Sequence, residues 1–464
     1  MPNFLITSPY NGIAQDSFFW DTWECAYMEN INNDEMKYEQ LEKTFTLISW
    51  GNTGVTTNVN QFSETPVWVI SCGDSKILLN GGDVSATLAG AKRHEYTLDS
   101  SGNQVNYFID NTSVYQVDAN ITSITATDPH AWWSGSVTAS CLVYNEIIYA
   151  RWSTILKYDT TTTTASSLAT NVPIRTGSTV KYMYFYNDMV YIVTTLGFDT
   201  IIYMVQYTSS GYGIYGSETK KDEVCVGAIW DGAIIYWVTT TTIWGFSGTQ
   251  STFLRYIGKN VSLDEATFWQ AKLAYWNRFL YIANGNDIYK YGSKYQGRRT
   301  SLTKKTYWQT ILGITSRYIN TQATTNFIYT LGSKYPDSGF SISLPFDAWV
   351  YGDIKDGLRF QVWYQLPTGT SIEIWVLTDE MEMVNTSTYV SVVTISDTTK
   401  RVQTIDINAI KTALADAWYS PEWQTIRFKR ILNGWGGSSW ARNNTPRLFE
   451  IKAIYDNTKD NLSS

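Results

Sequence analysis

Short runs in which apolar and polar residues alternate over about four to six positions recur along the first three-quarters of the chain, and that period belongs to half-buried β-strands rather than to helices. The runs come in pairs. The first run follows a pattern of Asn, one variable residue, two mostly apolar residues and Tyr, and a second run follows about ten residues later. Asn103 to Tyr107 is followed by Val114–Asp118, Asn145 to Tyr149 by Ile155–Asp159, and Asn187 to Tyr191 by Ile201–Val205. Gly232 to Tyr236 is followed by Ile243–Phe246, and Asn277 to Tyr281 by Ile288–Gly292. The anchors lie 42, 42, 45 and 45 residues apart, a degenerate earlier copy covers Val67–Leu79, and residues 310–335, around Phe327-Ile328-Tyr329, offer a candidate seventh.

A period in the low forties with paired strands in each copy is the signature of a propeller blade built from four short antiparallel strands. Helical repeats of similar length would show helix-length periodicity, and they would lack the turn signals Asn111-Thr112, Asp231-Gly232 and Asn284-Gly285-Asn286. The Asn or Gly at each anchor suits a tight inter-strand turn that needs a residue tolerant of positive φ.

Near Gly339 the repeat stops and longer strands begin, expected at Leu358–Leu366, Ser371–Leu377, Tyr389–Ile395, Arg401–Ile407, Trp423–Leu432 and Leu448–Tyr455. One helix is expected over Asn408–Trp418, with Ile410, Leu414 and Trp418 on one face. The fold expected is therefore all-β. A six- or seven-bladed β-propeller over residues 51–338 is followed by a C-terminal β-sandwich, jelly-roll-like, over residues 339–464. Residues 1–50 fit neither pattern and carry most of an acidic cluster, Glu24, Glu29, Asp34, Glu35, Glu39 and Glu42. They are read as a strand that closes the ring, with an arm reaching a neighbour as the second reading.

Composition supports the β assignment, because the chain holds 33 Tyr and 20 Trp while only 17% of it is charged. Repeating aromatics at equivalent blade positions are expected to pack one blade on the next, and carbohydrate platforms are the alternative. The net charge of −7 argues against a protein that coats nucleic acid over its whole surface. No apolar run reaches the roughly 18 residues of a membrane span, and the opening Met1-Pro2-Asn3-Phe4-Leu5 lacks a secretory pattern, so the chain is read as soluble, without membrane insertion, and made in a cytoplasm. Cys25, Cys72, Cys141 and Cys225 stand 47 or more residues apart and are read as buried free thiols.

Candidate chemistry is sparse. His94 and His130 are the sole histidines and neither has a partner at metal or triad spacing, so no metal or cofactor is expected. GxSxG, HExxH, Walker A, GxGxxG and EF-hand patterns are absent, as are sialidase-type Ser-x-Asp-x-Gly-x-x-Trp boxes and the Gly-His to Trp-Asp spacing of WD40 blades. The chain is therefore read as a non-enzyme, with a carboxylate-pair glycosidase in the central funnel as the residual alternative.

One charge feature stands out. Between Asp287 and Asp337 there is no acidic residue, yet Lys290, Lys294, Arg298, Arg299, Lys304, Lys305, Arg317 and Lys334 fall there. The two readings are a solvated linker face and a surface for something anionic, either nucleic-acid phosphates or an acidic partner subunit.

The organisation resembles tailed-phage virion proteins, particularly the tail hub or nozzle proteins of short-tailed phages, also described as packaged-DNA stabilisation proteins. The residues that carry the resemblance are Tyr27-Met28-Glu29-Asn30-Ile31-Asn32, the degenerate blades, Trp423–Lys429 and Thr445–Ile451. It implies a homo-oligomeric, sixfold ring in the virion tail, assembled in the host cytoplasm, below a portal and adaptor, with tail fibres outside and a central channel for DNA. Lys290, Lys294, Arg298, Arg299, Lys304, Lys305 and Arg317 would then line that channel or dock the ring above. A glycan-binding propeller, as a receptor-binding tip or lectin, is the alternative function.

Overall fold

The computed structural model describes residues 3–7, 25–32, 38–41, 45–50, 59–64, 68–72, 77–79, 82–83, 93–111, 113–118, 124–127, 136–257, 263, 270–293, 301–307, 309–322, 326–331, 335–345, 355–379, 381, 388–420, 422–434 and 444–457. Two compact units emerge, one of residues 47–287 and 307–330, the other of residues 1–46, 288–306 and 331–464.

Among the described residues, seven four-stranded antiparallel sheets follow one another along the chain. The first is Val59–Glu64, Trp68–Cys72, Ile77–Leu79 and Gly82–Asp83, and the second is Arg93–Leu98, Gln104–Ile109, Val114–Asp118 and Ile124–Thr127. The third is Val137–Val143, Glu146–Arg151, Thr154–Asp159 and Thr164–Ser167, and the fourth is Thr179–Tyr186, Met189–Leu196, Asp199–Thr208 and Gly211–Lys220. The fifth is Gly227–Trp230, Ile235–Val238, Thr242–Phe246 and Ser251–Tyr256, and the sixth is Leu273–Trp276, Phe279–Asn284, Asp287–Gly292 and Ser301–Thr306. The seventh combines Thr310–Ile314, Tyr318–Gln322 and Asn326–Leu331 with Phe45–Trp50 from far upstream as its outer strand.

The first strand of each sheet packs beside the first strand of the next, and that of the seventh returns to that of the first. This is a seven-bladed β-propeller, in which every sheet hides its faces against two neighbours. Apolar clusters fill the seams. Tyr107, Ile109, Tyr149 and Leu156 lie between the second and third sheets, Ile148, Met183, Ile192 and Ile201 between the third and fourth, and Val193, Ile202, Trp237 and Phe246 between the fourth and fifth. The repeat tyrosines Tyr107 and Tyr149 are thus core residues, whereas Tyr191, Tyr236 and Tyr281 are half-buried.

Turn chemistry follows the anchors in part. Asn187-Asp188 and Asn277-Arg278 occupy two-residue turns with φ of 50° and 59°, and of 49° and 72°. In the second and third sheets the positive φ falls one residue before the anchor, on Gly102 and on Tyr144. Gly tolerates this conformation and a tyrosine does so only under strain.

In the other unit, one antiparallel sheet has the order Asn3–Thr7, Arg447–Asn457, Lys355–Gln365, Val402–Ile405. A second has the order Cys25–Glu29, Ser338–Ser343, Ile426–Asn433, Ser371–Thr378, Val390–Ile395. The two share one core, where Phe360 and Phe428 meet edge-on at 5.8 Å among Met28, Ile374, Trp423 and Ile451. The N-terminal segment therefore contributes an edge strand to each of these sheets as well as the outer strand of the seventh blade.

The helix runs Ile407–Asp416, capped by Asp406, whose side chain accepts from the Asn408 amide at 3.3 Å, and it buries Ile410 and Leu414. Trp418 does not continue that face as expected. It lies past the helix end at φ 66° and is 92% exposed, because the backbone has already turned out of the helix there. Among the described residues, no helix is long and apolar enough to cross a membrane.

Candidate binding surface

The basic window does not gather onto one open face among the described residues. Lys290 and Lys305 are buried within strands of the sixth sheet, and the Lys304 ammonium sits 3.8 Å from the Glu29 carboxylate. Arg317 is exposed in the turn between Thr310–Ile314 and Tyr318–Gln322. Lys294, Arg298, Arg299 and Lys334 lie outside the described residues. The physical reason is strand alternation: successive side chains point to opposite faces, so a run of cations along a strand is split between interior and surface.

His94 is also interior. Its Nε2 lies 2.9 Å from Asn106 Oδ1 and its ring packs on Phe108, and burial pushes its pKa down to about 4, so it stays neutral. His130 lies outside the described residues, and no group of three metal-ligating side chains occurs among the described ones. Cys141 and Cys225 are free and buried, with thiol pKa values raised by desolvation.

A different constellation emerges at one edge of the third to sixth sheets. In an up-and-down sheet, the turn joining strands one and two lies at the same edge as the turn joining strands three and four. The third sheet shows this directly, since the Thr160 amide and hydroxyl both donate to Asn145 O, at 2.9 and 2.7 Å. Four aromatic residues close the first strands here: Tyr144 follows its strand, and Tyr186, Trp230 and Trp276 end theirs.

Aromatic contacts link one sheet to the next at this edge. The Tyr144 ring meets Phe185 at 5.1 Å and Tyr207 at 5.5 Å, and its hydroxyl donates to Asp188 Oδ1 at 2.5 Å. Trp230 stacks on Tyr184 at 4.8 Å and meets Tyr186 at 5.0 Å, while its amide donates to the Tyr182 hydroxyl at 3.1 Å. Tyr236 stacks on Tyr275 at 5.4 Å. Tyr144, Tyr186 and Trp276 remain exposed and Trp230 is half-buried.

Among the described residues, most carboxylates at this edge are engaged within the protein, and Asp188 and Arg278 are exposed. Glu146 pairs with Lys157 and accepts from the Tyr212 hydroxyl. Asp159 accepts from the Thr161 and Thr162 amides, which holds its carboxyl below the usual range despite an opposing desolvation effect. Asp231 accepts from the Ala233 and Ile234 amides, both at 2.7 Å. The hydrogen bond to Asp188 raises the Tyr144 phenol, which therefore stays protonated. The exposed rings of Tyr144, Tyr186 and Trp276 share this edge with the hydroxyl-rich turns Thr160–Thr164 and Thr208–Ser210. The sequence expectations do not include this arc, whose one trace is that Tyr144, Tyr186 and Trp276 each stand immediately before the Asn of a blade anchor.

No known protein family and no curated protein matches the chain by sequence. Solved structures do match in fold. The β-propeller domain of Cps50 (Swd1) from Myceliophteria thermophila is 10% identical, with a TM-score of 0.42, over 62% of this chain and 100% of that one. The Dos1 propeller is 10% identical, with a TM-score of 0.43, over 67% and 94%, and the Neurospora crassa Pan2 WD40 domain is 6% identical, with a TM-score of 0.40, over 59% and 89%. These neighbours are propellers of WD40 and related type, not phage tail proteins, and that overturns the resemblance to tail hub and nozzle proteins. The features behind it are generic: degenerate strand pairs arise wherever blades pack in a ring, and Trp423–Lys429 and Thr445–Ile451 are ordinary edge-to-core alternation. The sixfold ring, the portal and adaptor docking, the tail fibres and the DNA channel lose their ground with it.

Proposed function

We propose that this chain is a binding protein rather than a catalyst, and that the aromatic arc on the third to sixth blades is its ligand surface. The observation that carries the reading is Tyr144. The residue is 56% exposed, yet its ring is held by two aromatic neighbours and its hydroxyl by a hydrogen bond to Asp188, and its backbone is at φ 52°, where a tyrosine is strained. A large apolar ring kept in solvent at a conformational cost contributes little to folding. Held rigid, it binds a ligand with little further loss of side-chain entropy.

The test uses arrays of immobilised oligosaccharides and peptides probed with the whole protein. A ligand retained by wild type should be lost by the double variant Tyr144→Asn/Trp276→Ala, kept by Trp418→Ala in the other unit, and recovered chemically unchanged. A ligand that the double variant still binds, or that emerges as product, would remove this reading.

A further inference from the structure

The geometry points to an uncharged oligosaccharide as the ligand of this arc, an inference that rests on the arc being the binding surface. Three features converge on that chemistry. First, the exposed rings belong to successive blades, Tyr144 on the third, Tyr186 on the fourth and Trp276 on the sixth, with Trp230 half-buried on the fifth, so the platforms follow one another along an edge. An extended polymer with repeating apolar faces matches a series of platforms better than a compact ligand does. The C–H face of a pyranose ring is such a surface, and it lies flat on an aromatic ring.

Second, the polar groups beside the rings are mostly neutral and can both donate and accept. Thr161–Thr164 and Thr208–Ser210 are exposed, their hydroxyls bonding partly within their own turns and keeping capacity toward solvent, and the exposed Asn145 and Asn187 present amides. A hydroxyl serves as donor and acceptor at once, as sugar hydroxyls do, whereas a surface built for a cation needs acceptors alone. Asp188 adds one acceptor of high capacity: it is exposed, takes one hydrogen bond from Tyr144, and a carboxylate has room for several more.

Third, among the described residues Asp188 is the one exposed carboxylate of this edge without an ion-pair or amide partner, less than a lysine- or arginine-rich peptide would require. Glu146 is neutralised by Lys157, Asp159 and Asp231 are bound to backbone amides, and the exposed Arg278 lies in the turn that follows Trp276. A cationic peptide would meet rings but few unengaged carboxylates, whereas a neutral sugar would meet rings and hydroxyls.

The probes are uncharged hexose and N-acetylhexosamine oligomers of increasing length, titrated calorimetrically into the whole protein at low and at high salt. Affinity should rise with chain length as further platforms are engaged, stay nearly constant with salt, and fall by about tenfold or more in Tyr144→Asn. Asn suits the positive φ at this position, so lost binding in a well-folded Tyr144→Asn variant reports the ring and not the fold. Trp276→Ala supplies an independent arm at a residue with ordinary φ. If no neutral oligomer binds while a lysine-rich peptide does so in a salt-sensitive, Tyr144-dependent way, the sugar inference falls and the binding surface stands. If neither kind of ligand depends on Tyr144 or Trp276, both fall.

Discussion

Glu39 and Arg430 form an ion pair of 2.8 Å inside the two-sheet unit, with side chains only 1% and 2% exposed. Ser341 donates to the second Glu39 oxygen at 2.8 Å, and the Glu39 backbone exchanges two hydrogen bonds with Leu448 on the other sheet. Desolvation raises the Glu39 pKa while Arg430 and Ser341 pull it down, so the charged form depends on both partners. Removing one partner leaves the other charge buried. Glu39→Ala should therefore cost about 3–5 kcal/mol, whereas the double substitution Glu39→Leu/Arg430→Met should recover much of the loss. Urea unfolding of wild type and the two variants checks this, and a double variant no more stable than Glu39→Ala would show that the pair is worth its desolvation.

Trp418 and Leu414 end the helix in a Schellman arrangement: the Trp418 amide donates to Ala415 O at 2.9 Å and the Tyr419 amide to Leu414 O at 3.0 Å. The position past the cap favours glycine, yet a 92% exposed tryptophan occupies it at φ 66°. Trp418→Gly should raise stability by about 1 kcal/mol through release of left-handed strain. An unchanged or lowered melting temperature would mean that the indole makes compensating contacts.

Legibility followed burial. The second and third strands of each blade were readable because they are apolar on the faces that meet neighbouring blades, as in Glu146–Arg151 and Asp199–Thr208. Outer strands such as Gly211–Lys220, with a single buried residue and rich in Gly, Ser and Thr, carry no such signal. First strands hide theirs differently, since Arg93–Leu98 mixes Arg, His and Glu into an inner position where Arg93 and Glu95 find partners in the next blade and His94 finds Asn106 in its own. Pairing between Leu41 and Thr445, 404 residues apart, has no local signature. The aromatic arc was obscured because the same residue types fill the seams, and only their place beside the turns separates platform from core.

Gly339 sits where the Ser338–Ser343 strand passes the Cys25–Glu29 strand. A Cβ added there would lie 2.7 Å from Asn30 O and 2.9 Å from Glu29 O, both backbone atoms that cannot rotate away. Gly339→Ala should destabilise by about 1–3 kcal/mol. Gly213→Ala, on the outer strand of the fourth sheet where nothing lies within 4 Å, should change stability little. Matched thermal melts of the two variants decide it, and equal shifts would remove the steric account.

Glu95 lies at the seam between the second and third blades, where Ser140 donates to its Oε1 at 2.5 Å. Burial pushes its pKa up to about 7, against the opposing pull of Ser140 and Arg93. A carboxyl whose folded pKa exceeds its unfolded value holds a proton in the folded state that the unfolded chain has already released. The folded state therefore binds more protons between about pH 4.5 and pH 7, and stability falls as pH rises across that window, then levels off. Glu95→Gln keeps an acceptor for Ser140 without a charge. Its melting temperature should decline less between pH 5 and pH 7 than that of wild type and should exceed it above pH 7. Parallel curves for the two proteins across this range would show that Glu95 is ionised in the folded state at no cost, with Arg93 compensating in full.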